Sequence, residues 1–331
     1  MVLTVTLNPC VDKTIFIKNL EIGRVIRADG VKLIAGGSGN NVARVVRSLG
    51  HPVLALNLLG GGYGDIIASL LRSEGIPFEA AHIKGSSRTV VTVLDTASGI
   101  QTAYVEPGPE VSPEEVAHFK GRYKRVLKDA QLVVLSGSVP CPSLNGLYAD
   151  LIAMAKDRGL RVILDTRGPA LPQGIAASPF MIKPNVEEMG DTLGRQVVYK
   201  KDVLECLNRC LKQGVELIVL SFGREGILVS YRDQLLRAWP PQIKVVNPIG
   251  SGDSLVAGFA VGLADGMAIE DTIRLGVAAG AANASIWDAA GCTKEDILKL
   301  VPGVRLERAK EADISGLIPN LPAEVLLRKE G

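Results

Sequence analysis

The sequence predicts an α/β fold in which a mostly parallel sheet is covered by helices on both faces. Between residues 113 and 221, segments with helical spacing alternate with short apolar segments rich in Val, Ile and Leu. Strands of this composition are typical of parallel sheets that are buried on both faces. The chain has 331 residues, of which 47% are hydrophobic, so it can fill one large domain of this kind.

Most of the first 85 residues are expected to belong to this main sheet. Residues 2–7 alternate as a buried strand, which ends at Asn8-Pro9. The glycine-rich stretch Gly36-Gly37-Ser38-Gly39 then opens a helix, and Gly50 ends it. In chain order, the pattern predicts helix 40–49, strand 53–58, helix 64–74 and an edge strand near 79–83.

A second, smaller sheet is predicted at the periphery. Residues 14–17 and 31–34 are short, mixed segments with charged residues between them, which is unlike a buried core. Residues 88–95 and 100–105 flank Ala97-Ser98-Gly99 and are typical of a hairpin. We therefore expect these segments to form a small sheet beside the main one.

The second half of the chain continues the alternation of helices and strands. It predicts helix 113–127, strand 132–136, helix 143–157, strand 161–164, strand 180–183, helix 201–213, strand 216–221, and a hairpin of 226–231 with 234–238. Three further helices complete the domain. The charged residues after Pro302 are expected to pack at the periphery or to stay mobile.

Composition argues against several kinds of partner. The formal net charge is +2 and the basic residues are scattered, so neither a nucleic acid nor a membrane surface is an expected partner. The five cysteines include no C-x-x-C pair, which argues against disulfides and zinc. Asp12 and Lys13 interrupt the N-terminal apolar segment before a signal peptide could form, and no apolar run reaches bilayer length. A cytoplasmic protein is expected.

The stretch Gly250-Ser251-Gly252-Asp253 predicts an anion site. Its glycines allow a tight turn that exposes successive N–H groups, and the apolar residues 255–260 that follow have helical spacing. N–H groups at a helix N-terminus favour an anion. Asp253 is then placed to accept a hydroxyl proton while the helix end neutralises a phosphoryl group. From this stretch alone, an N-capping Asp in an ordinary turn fits equally well.

Polar residues follow several predicted strands at the point where each strand ends. Ligands of such sheets bind beyond the carboxyl ends of the strands, so we expect these residues to share one rim. They are Asp12, Ser136-Gly137-Ser138, Asp165, Asn185, Ser221-Phe222-Gly223 and Asp253. The sequence has no P-loop motif, and Gly37-Ser38-Gly39 lacks the third glycine of a dinucleotide fingerprint, which leaves the turn at 250–253 as the phosphate site.

These motifs resemble the signatures of the PfkB, or ribokinase-like, carbohydrate kinases. Residues 250–254 are similar to the G-A-G-D motif of the family, with Ser in place of Ala, and residues 36–43 are similar to its N-terminal signature. The other matches are Thr6-Leu7-Asn8-Pro9 with Asp12, residues 136–140, Asp165-Thr166 with Gly168, Lys183-Pro184-Asn185 with Glu188, and residues 221–226. The motifs most resemble the branch that holds 1-phosphofructokinase, tagatose-6-phosphate kinase and the minor 6-phosphofructokinase.

The resemblance implies a three-layer ribokinase-like sandwich with a small β-sheet lid. The kinase domain would span residues 1–302, with lid segments at about 12–34 and 86–107, and residues 303–331 would form a C-terminal extension. The lids of the family's dimers clasp each other, which implies a homodimer through the lid sheet.

The resemblance also implies an ATP- and Mg²⁺-dependent kinase. Asp253 would be the general base for the acceptor hydroxyl, and the backbone N–H groups of Gly250, Ser251 and Gly252 would form an anion hole for the γ-phosphoryl group. Asn185 and Glu188 would organise Mg²⁺ through water, although a Pro-Asn helix start with a surface Glu remains open. The residues implied along the nucleotide are Asn185, Ser221, Gly223, Gly226, Gly280 and Asn283, of which the small ones are also suited to close helix packing.

The implied acceptor-binding residues are Asp12, Gly36, Gly37, Ser38, Asn41, Arg88 and Ser138. Asp12 would accept hydrogen bonds from sugar hydroxyls, and the Arg88 guanidinium in the lid suits a sugar phosphate. Ser38 stands where this branch usually has Lys, and residues 89–92 lack the usual Asn and Lys. Two groups for the acceptor phosphate are therefore absent, and Arg167 is a candidate to restore a cation.

These residues lead to a ranked set of functions. Phosphorylation of fructose 1-phosphate to fructose 1,6-bisphosphate comes first, and fructose 6-phosphate or tagatose 6-phosphate come next. A kinase of an unphosphorylated or otherwise anionic sugar is the near alternative. A non-catalytic sensor of a sugar phosphate, and a dehydrogenase without its fingerprint, are the alternatives from other classes.

Overall fold

The computed structural model describes residues 1–197 and 199–309, whose strands lie in two sheets. The strands are β1 (Val2–Thr6), β2 (Cys10–Ile17), β3 (Gly30–Gly36), β4 (Val53–Gly60), β5 (Phe78–Ile83), β6 (Arg88–Asp95), β7 (Gln101–Val105), β8 (Leu132–Ser136), β9 (Arg161–Asp165), β10 (Met181–Ile182), β11 (Leu217–Ser221), β12 (Ile227–Tyr231), β13 (Gln234–Trp239) and β14 (Arg305–Arg308). The helices are α1 (Ser38–Ser48), α2 (Gly61–Ser73), α3 (Pro113–Val126), α4 (Leu147–Lys156), α5 (Ala170–Ala176), α6 (Val186–Leu193), α7 (Lys200–Lys212), α8 (Ser251–Ala264), α9 (Ile269–Ala284) and α10 (Lys294–Leu300).

The larger sheet has the strand order β14-β13-β12-β11-β10-β9-β8-β1-β4-β5. The strands from β5 to β11 in this order pair in parallel, and β12, β13 and β14 add antiparallel strands at one edge. The chain runs from β1 outward to β4 and β5, and it then returns to β8 on the other side of β1. This reversal makes the carboxyl ends of β1 and β8 the topological switch point, where ligands of such sheets bind.

One apolar cluster lies on each face of this sheet, so the predicted α/β sandwich with three layers is confirmed. Helices α1, α8 and α9 cover one face, and α3, α4 and α7 cover the other. Helix α8 is buried from Ser254 to Leu263 because it packs against both α1 and α9. Glycines allow a close approach to α9, since a Cβ on Gly258 would lie 2.6 Å from the Gly276 Cα.

The smaller sheet, which we call the lid sheet, has the order β3-β2-β6-β7. Its register puts alternate residues of β2 on one face, and on this face Asp12 and Thr14 line a cleft against the core. The opposite face carries exposed apolar side chains, among them Val31, Leu33 and Tyr104. The lid sheet therefore has one face turned to a cleft and one turned to solvent.

The differences from the predicted elements are local. The pattern does not predict α5, whose Pro172 and Gly174 weaken the helical signal, and it predicts α6 only as a helix start at Asn185. Helix α4 begins at Leu147 instead of 143, because Pro142–Leu144 forms a separate 3₁₀ turn. Strand β14 pairs with β13 although the residues after 302 are predicted to be irregular. The rest of the predicted extension, 310–331, lies outside the described residues, and the boundary at 302 remains a prediction.

Candidate active site

The glycine turn leads directly into α8, as predicted. Gly250 precedes the helix with a φ of 82°, in the left-handed region that favours glycine. The Ser251 N–H donates to the Pro248 carbonyl oxygen at 3.1 Å. It already has an acceptor, so it is not the free anion-hole donor that was predicted. The N–H groups of Gly252 and Asp253 belong to the first helical turn and have no acceptor among the described residues. The donors that an anion would meet in this helical turn are therefore those of Gly252 and Asp253, and the predicted Gly250 N–H likewise has no acceptor in the described part of the chain.

Asp253 faces α1 from the first turn of α8. The Asn41 Nδ2 donates to its Oδ2 at 2.8 Å, and Ser38 is close enough to lower the pKa of this carboxyl. Burial is the main reason why the pKa of Asp253 is raised to about 7, and the negative charge of Asp165 adds to it. The hydrogen bond from Asn41 and the positive charge of Lys183 act in the opposite direction. A carboxyl with a pKa near neutrality is suited to general-base catalysis.

Lys183 and Asp165 form a buried ion pair beside this carboxyl. The Lys183 Nζ lies 3.1 Å from the Asp165 Oδ1, and both side chains are at most 10% exposed. The Ser136 hydroxyl donates to the other Asp165 oxygen at 3.3 Å. Burial lowers the pKa of Lys183, but the charges of Asp165, Glu188 and Asp253 together raise it above its usual value. The ammonium therefore stays charged, and a Cβ on Gly252 would lie only 3.5 Å from it.

Asn185 and Glu188 form a capping box at the start of α6. The Glu188 N–H donates to the Asn185 Oδ1, and the Asn185 N–H donates to the Glu188 Oε2, both at 2.9 Å. Asn185 therefore starts a helix, which is the alternative that the sequence analysis left open. Glu188, however, is half-buried and is not a surface residue. This burial raises the pKa of Glu188. The charge of Lys183 opposes that rise.

The residues at this position fit an indirect Mg²⁺ site. Among residues 1–197 and 199–309, no group of three His, Cys, Asp or Glu side chains could hold a metal directly. Mg²⁺ in kinases usually keeps several waters and takes one or two carboxylates together with substrate phosphates. The capping box uses only one Glu188 oxygen, so the other remains for a water of the ion.

Asp12 lines a cleft between the lid sheet and the core. Other lining residues are Thr14 and Lys32 from the lid sheet, and Asn247, Trp287 and Asp288 from the core. The empty space between these residues is about 570 Å³, including the open mouth of the cleft and the solvent in it. Burial raises the pKa of Asp12, whereas the nearby charge of Arg44 lowers it. An ion pair between Lys32 and Asp288 joins the two walls.

Two glycines allow the loop before α1 to pass close to β1 and β2. A Cβ on Gly36 would lie 2.9 Å from the Asp12 Cβ. Gly37 has a φ of 108°, and a Cβ there would lie 2.6 Å from the Thr6 Cγ2. Glycine is needed at both positions, and Gly36 lies against Asp12 as the predicted acceptor site requires.

Arg88 begins β6, but its guanidinium is tied to the backbone. Its Nη1 donates to the Glu106 carbonyl oxygen at 3.1 Å, and its Nη2 donates to the Asn8 carbonyl oxygen at 3.5 Å. The Asn8 side chain donates in turn to the Ser138 hydroxyl at 3.2 Å. Asn8 therefore links the two predicted acceptor residues Arg88 and Ser138. The Arg88 Nε is buried without an acceptor in the described part of the chain, so one donor is unused.

Ser221, Gly223 and Gly226 lie around the turn that joins β11 to β12. A bridge between Asn185 and Ser221 puts this turn beside α6. Gly226 has a φ of 83°, and a Cβ there would lie 2.1 Å from the Ala238 carbonyl oxygen, so only glycine fits. The turn is thus at the carboxyl end of β11, next to the candidate Mg²⁺ residues.

Gly280 and Asn283 on α9 support the turn before α8. A Cβ on Gly280 would lie 3.1 Å from the Ser251 carbonyl oxygen, so this glycine serves close helix packing. The buried Asn283 donates to the Ile249 carbonyl oxygen at 2.8 Å and to the Ser251 hydroxyl at 3.0 Å, and it accepts from the Ala290 N–H. The side-chain amide of Asn283 is therefore hydrogen-bonded within the protein around the turn before α8, whereas a contact with the nucleotide was expected.

The structure brings the predicted groups together around a residue that the sequence analysis did not assign. Lys183 acts electrostatically on both Glu188 and Asp253, and it thereby connects the candidate Mg²⁺ residues to the candidate base. The sequence could have indicated this role of Lys183, because Lys183 and Asp165 lie at the ends of neighbouring predicted strands of the same rim. Arg167, the candidate replacement cation, is exposed and acts on Glu188 instead of lining the cleft.

Comparisons with known proteins show which family the chain belongs to. The profile of the pfkB family carbohydrate kinases matches residues 5–295. A tagatose-6-phosphate kinase of Staphylococcus epidermidis is 34% identical over 287 residues, which are 86% of this chain and 92% of that protein.

Two solved structures are similar over nearly their whole length. The tetrameric inhibited form of phosphofructokinase-2 from Escherichia coli has a TM-score of 0.84 and 28% identity, with 91% of this chain and 98% of that chain covered. A possible 1-phosphofructokinase from Thermotoga maritima has a TM-score of 0.85 and 27% identity, with coverages of 94% and 100%. The chain therefore belongs to the pfkB family of carbohydrate kinases and is a sugar kinase, a phosphotransferase that acts on an alcohol group.

Proposed function

We propose that the protein transfers the γ-phosphoryl group of ATP to a ketohexose phosphate, with fructose 1-phosphate as the first choice of acceptor and fructose 1,6-bisphosphate as the product. The position of Asp253 carries this proposal, because its carboxylate lies at the N-terminus of α8 beside the free N–H groups of the first turn. Tagatose 6-phosphate is the second candidate, which the tagatose-6-phosphate kinase relative favours. Fructose 6-phosphate is the third.

In the proposed reaction, Asp253 accepts the proton of the acceptor hydroxyl as that oxygen attacks the γ-phosphorus. The bond between this phosphorus and the β–γ bridging oxygen breaks, and ADP leaves with the electron pair. The N–H groups of Gly252 and Asp253 and the ammonium of Lys183 are placed to stabilise negative charge on the transferred group. The protein thus contributes one proton acceptor and several fixed positive dipoles and charges.

The nucleotide would lie along the rim from the glycine turn to the β11–β12 turn. Ser221, Gly223 and Gly226 would line it, and Gly280 would border it across from Ser251. Mg²⁺ that arrives with ATP would neutralise charge on the phosphates. Asn185 and Glu188 would hold its waters, and their capping box keeps both side chains in place for this role.

The acceptor would occupy the cleft that Asp12 lines. Lys32 lines the same cleft and lies two residues before Ile34, which pairs with Asp12. Arg88 pairs with Cys10 at the other end of β2. Cations therefore lie on both sides of Asp12 along the lid sheet, and a phosphorylated sugar would interact with them more favourably than a neutral one.

Steady-state kinetics on a panel of acceptors test this proposal. ADP release is measured with fructose 1-phosphate, fructose 6-phosphate, tagatose 6-phosphate and fructose, with ATP alone as the control. We expect kcat/KM for at least one sugar phosphate to exceed that for fructose by ~10-fold or more, the scale of one charge-assisted hydrogen bond. A preference for fructose would contradict the roles of Arg88 and Lys32. Binding of a sugar phosphate without acceptor-dependent ADP release would indicate a sensor.

We also propose a homodimer formed through the solvent face of the lid sheet. This face carries Leu33, Val31 and Tyr104, which are 41%, 54% and 64% exposed, and several exposed apolar side chains on one face are typical of interaction surfaces. Light scattering is expected to give a dimer for the natural chain and a monomer for Leu33→Lys. A cytoplasmic setting suits the five cysteines, which are all free and buried.

A further inference from the structure

Asn41 bridges the candidate base and a half-buried arginine on the same helix. Its Nδ2 donates to the Asp253 Oδ2 at 2.8 Å, and its Oδ1 accepts from the Arg44 Nη1 at 2.8 Å. Arg44 is itself held in two other directions. Its Nε donates to the Glu74 Oε2 at 2.6 Å, and its Nη2 donates to the Ala35 carbonyl oxygen at 2.9 Å.

The two ends of an asparagine amide have nearly the same shape but opposite hydrogen-bonding roles. If the amide of Asn41 were reversed, its oxygen would face the Asp253 carboxylate, and two acceptors would oppose each other. A guanidinium is a donor only, so Arg44 can hold the amide by its oxygen alone. The contact with Arg44 therefore directs the NH₂ group of Asn41 toward Asp253.

We propose that Arg44 is a positioning residue of the kinase, which keeps a hydrogen-bond donor on the Asp253 carboxylate by holding Asn41 in one orientation. This inference rests on the proposed role of Asp253 as the base. The side chains of Arg44 and Glu74 are only 15% and 24% exposed, so their pairing is shielded from water and fixes the guanidinium.

The same guanidinium also reaches the acceptor side of the cleft. It holds the Ala35 carbonyl, which directly precedes Gly36, the glycine that lies against Asp12, and its charge acts on the Asp12 carboxyl. One side chain thus sets the loop beside the predicted acceptor residue and the amide beside the predicted base. A change at Arg44 is therefore expected to affect kcat more than the KM for ATP.

Other charged groups face Asp253 from neighbouring elements, and they do not contact Arg44. Asp165 at the end of β9 raises the pKa of Asp253, and Lys183 after β10 lowers it. From α1, the hydrogen bond of Asn41 lowers it, and Ser38 acts in the same direction. Loss of Arg44 leaves Asp165 and Lys183 in place, so a changed titration of Asp253 would report the Asn41 contact.

The pH dependence of kcat/KM for the best acceptor tests the inference with Arg44→Met. We expect its acidic limb to move to higher pH by about one unit, because hydrogen bonds to charged groups shift a pKa on that scale. Ionisation of the acceptor's own phosphate is common to all variants, so it cancels in the comparison. Arg44→Lys, which keeps a donor, is expected to retain most of the natural profile.

Two controls separate this role from a general effect on folding. Arg47→Met changes the exposed arginine one turn later on α1 and is expected to leave the profile unchanged. Asn41→Ala is expected to shift the acidic limb as Arg44→Met does. The double variant should show no further shift, because Arg44 would act through Asn41. An acidic limb that Arg44→Met leaves in place, or one that Arg47→Met moves equally, would overturn the inference.

A second readout requires no turnover. The ¹³C shift of the Asp253 carboxyl, assigned with Asp253→Asn, gives its pKa directly in the natural protein and in Arg44→Met. If no sugar phosphate is a substrate, the proposed function fails while this titration still tests Arg44. Equal pKa values of Asp253 in the two proteins would overturn the inference about Arg44 and leave the proposed function untouched.

Discussion

Two regions of the molecule differ in how their polar groups are held. We call Asp165, Lys183 and Asp253 at the rim of the main sheet the core wall, and the side chains of the lid sheet that face the cleft the lid wall. On the core wall, Asp165 and Lys183 form an ion pair whose side chains are at most 10% exposed, and Asp253 lies beside it. On the lid wall, Lys32 is 45% exposed, and its partner Asp288 across the cleft is 53% exposed. Breaking a buried pair is strongly destabilising, whereas an exposed pair contributes little. Folding therefore fixes the core wall, while the lid wall can be changed with little effect on stability.

This difference matches the division of labour in the proposed reaction. Phosphoryl transfer is the same for every acceptor, so its groups can be rigid parts of the core. In this proposal, acceptor choice would depend on groups such as Asp12 and Lys32, which lie on a separate small sheet. Changes on the core wall should alter turnover or stability, and changes on the lid wall should alter the KM for the acceptor.

The largest effect is expected for Asp253→Asn. Loss of the proton acceptor should reduce kcat by about 10²–10⁴-fold, the range of general-base contributions. Asp265→Asn at the other end of α8 is the matched control, and it should retain turnover. Circular dichroism checks that both variants are folded. Near-normal turnover of a folded Asp253→Asn would show that the core wall does not supply the base.

A large loss of stability is expected for Asp165→Asn. The change leaves the Lys183 ammonium buried without its partner, which costs about 3–5 kcal/mol. Urea unfolding measures this loss. The exposed pair of Lys120 and Asp150 gives the control, because Asp150→Asn should cost less than about 1 kcal/mol. Equal losses in the two variants would show that burial does not make the ion pair of the core wall more important for stability than an exposed pair.

A smaller and more selective effect is expected for Lys32→Met. The KM for a phosphorylated acceptor should rise about 3–10-fold, as for one partly exposed charged contact, while the KM for ATP and the unfolding free energy stay nearly unchanged. Lys13→Met is the control, since Lys13 pairs with Leu33 and lies on the opposite face of the lid sheet. A change in the KM for ATP alone would place Lys32 outside the acceptor site.

Much of the fold follows from local patterns in the sequence. The alternation from α3 to β11 and the glycine turn before α8 are strong signals, because apolar periodicity and left-handed glycines are read within a few residues. Helix α5 is missed because Pro172 and Gly174 interrupt a seven-residue helix. Strand β14 is missed because its residues are mostly charged and show no strand pattern of their own. They form an edge strand only because they pair with β13.

The site was predictable in its residue types and less so in its contacts. Asp253 and Asn41 were assigned from motifs, yet their mutual hydrogen bond joins residues 212 positions apart in the chain. The hydrogen bonds of the Ser251 N–H and of the Asn283 amide depend on how the turn folds against α9. No local sequence pattern encodes this packing. The role of Lys183 could have been predicted, because its positive charge lies beside the negative charge of Asp165 on the neighbouring strand of the same rim.

The central claim, that Asp253 accepts the proton, is tested most directly by the pH dependence of kcat/KM for the acceptor between pH 5 and 9. Because burial raises the pKa of this carboxyl to about 7 and the base must be ionised, activity should fall about tenfold per pH unit below that value. The acceptor's own phosphate, with a pKa of about 6, is taken into account separately. An acidic limb near pH 7 is the result we expect, and a profile that stays flat down to pH 5 would contradict the claim.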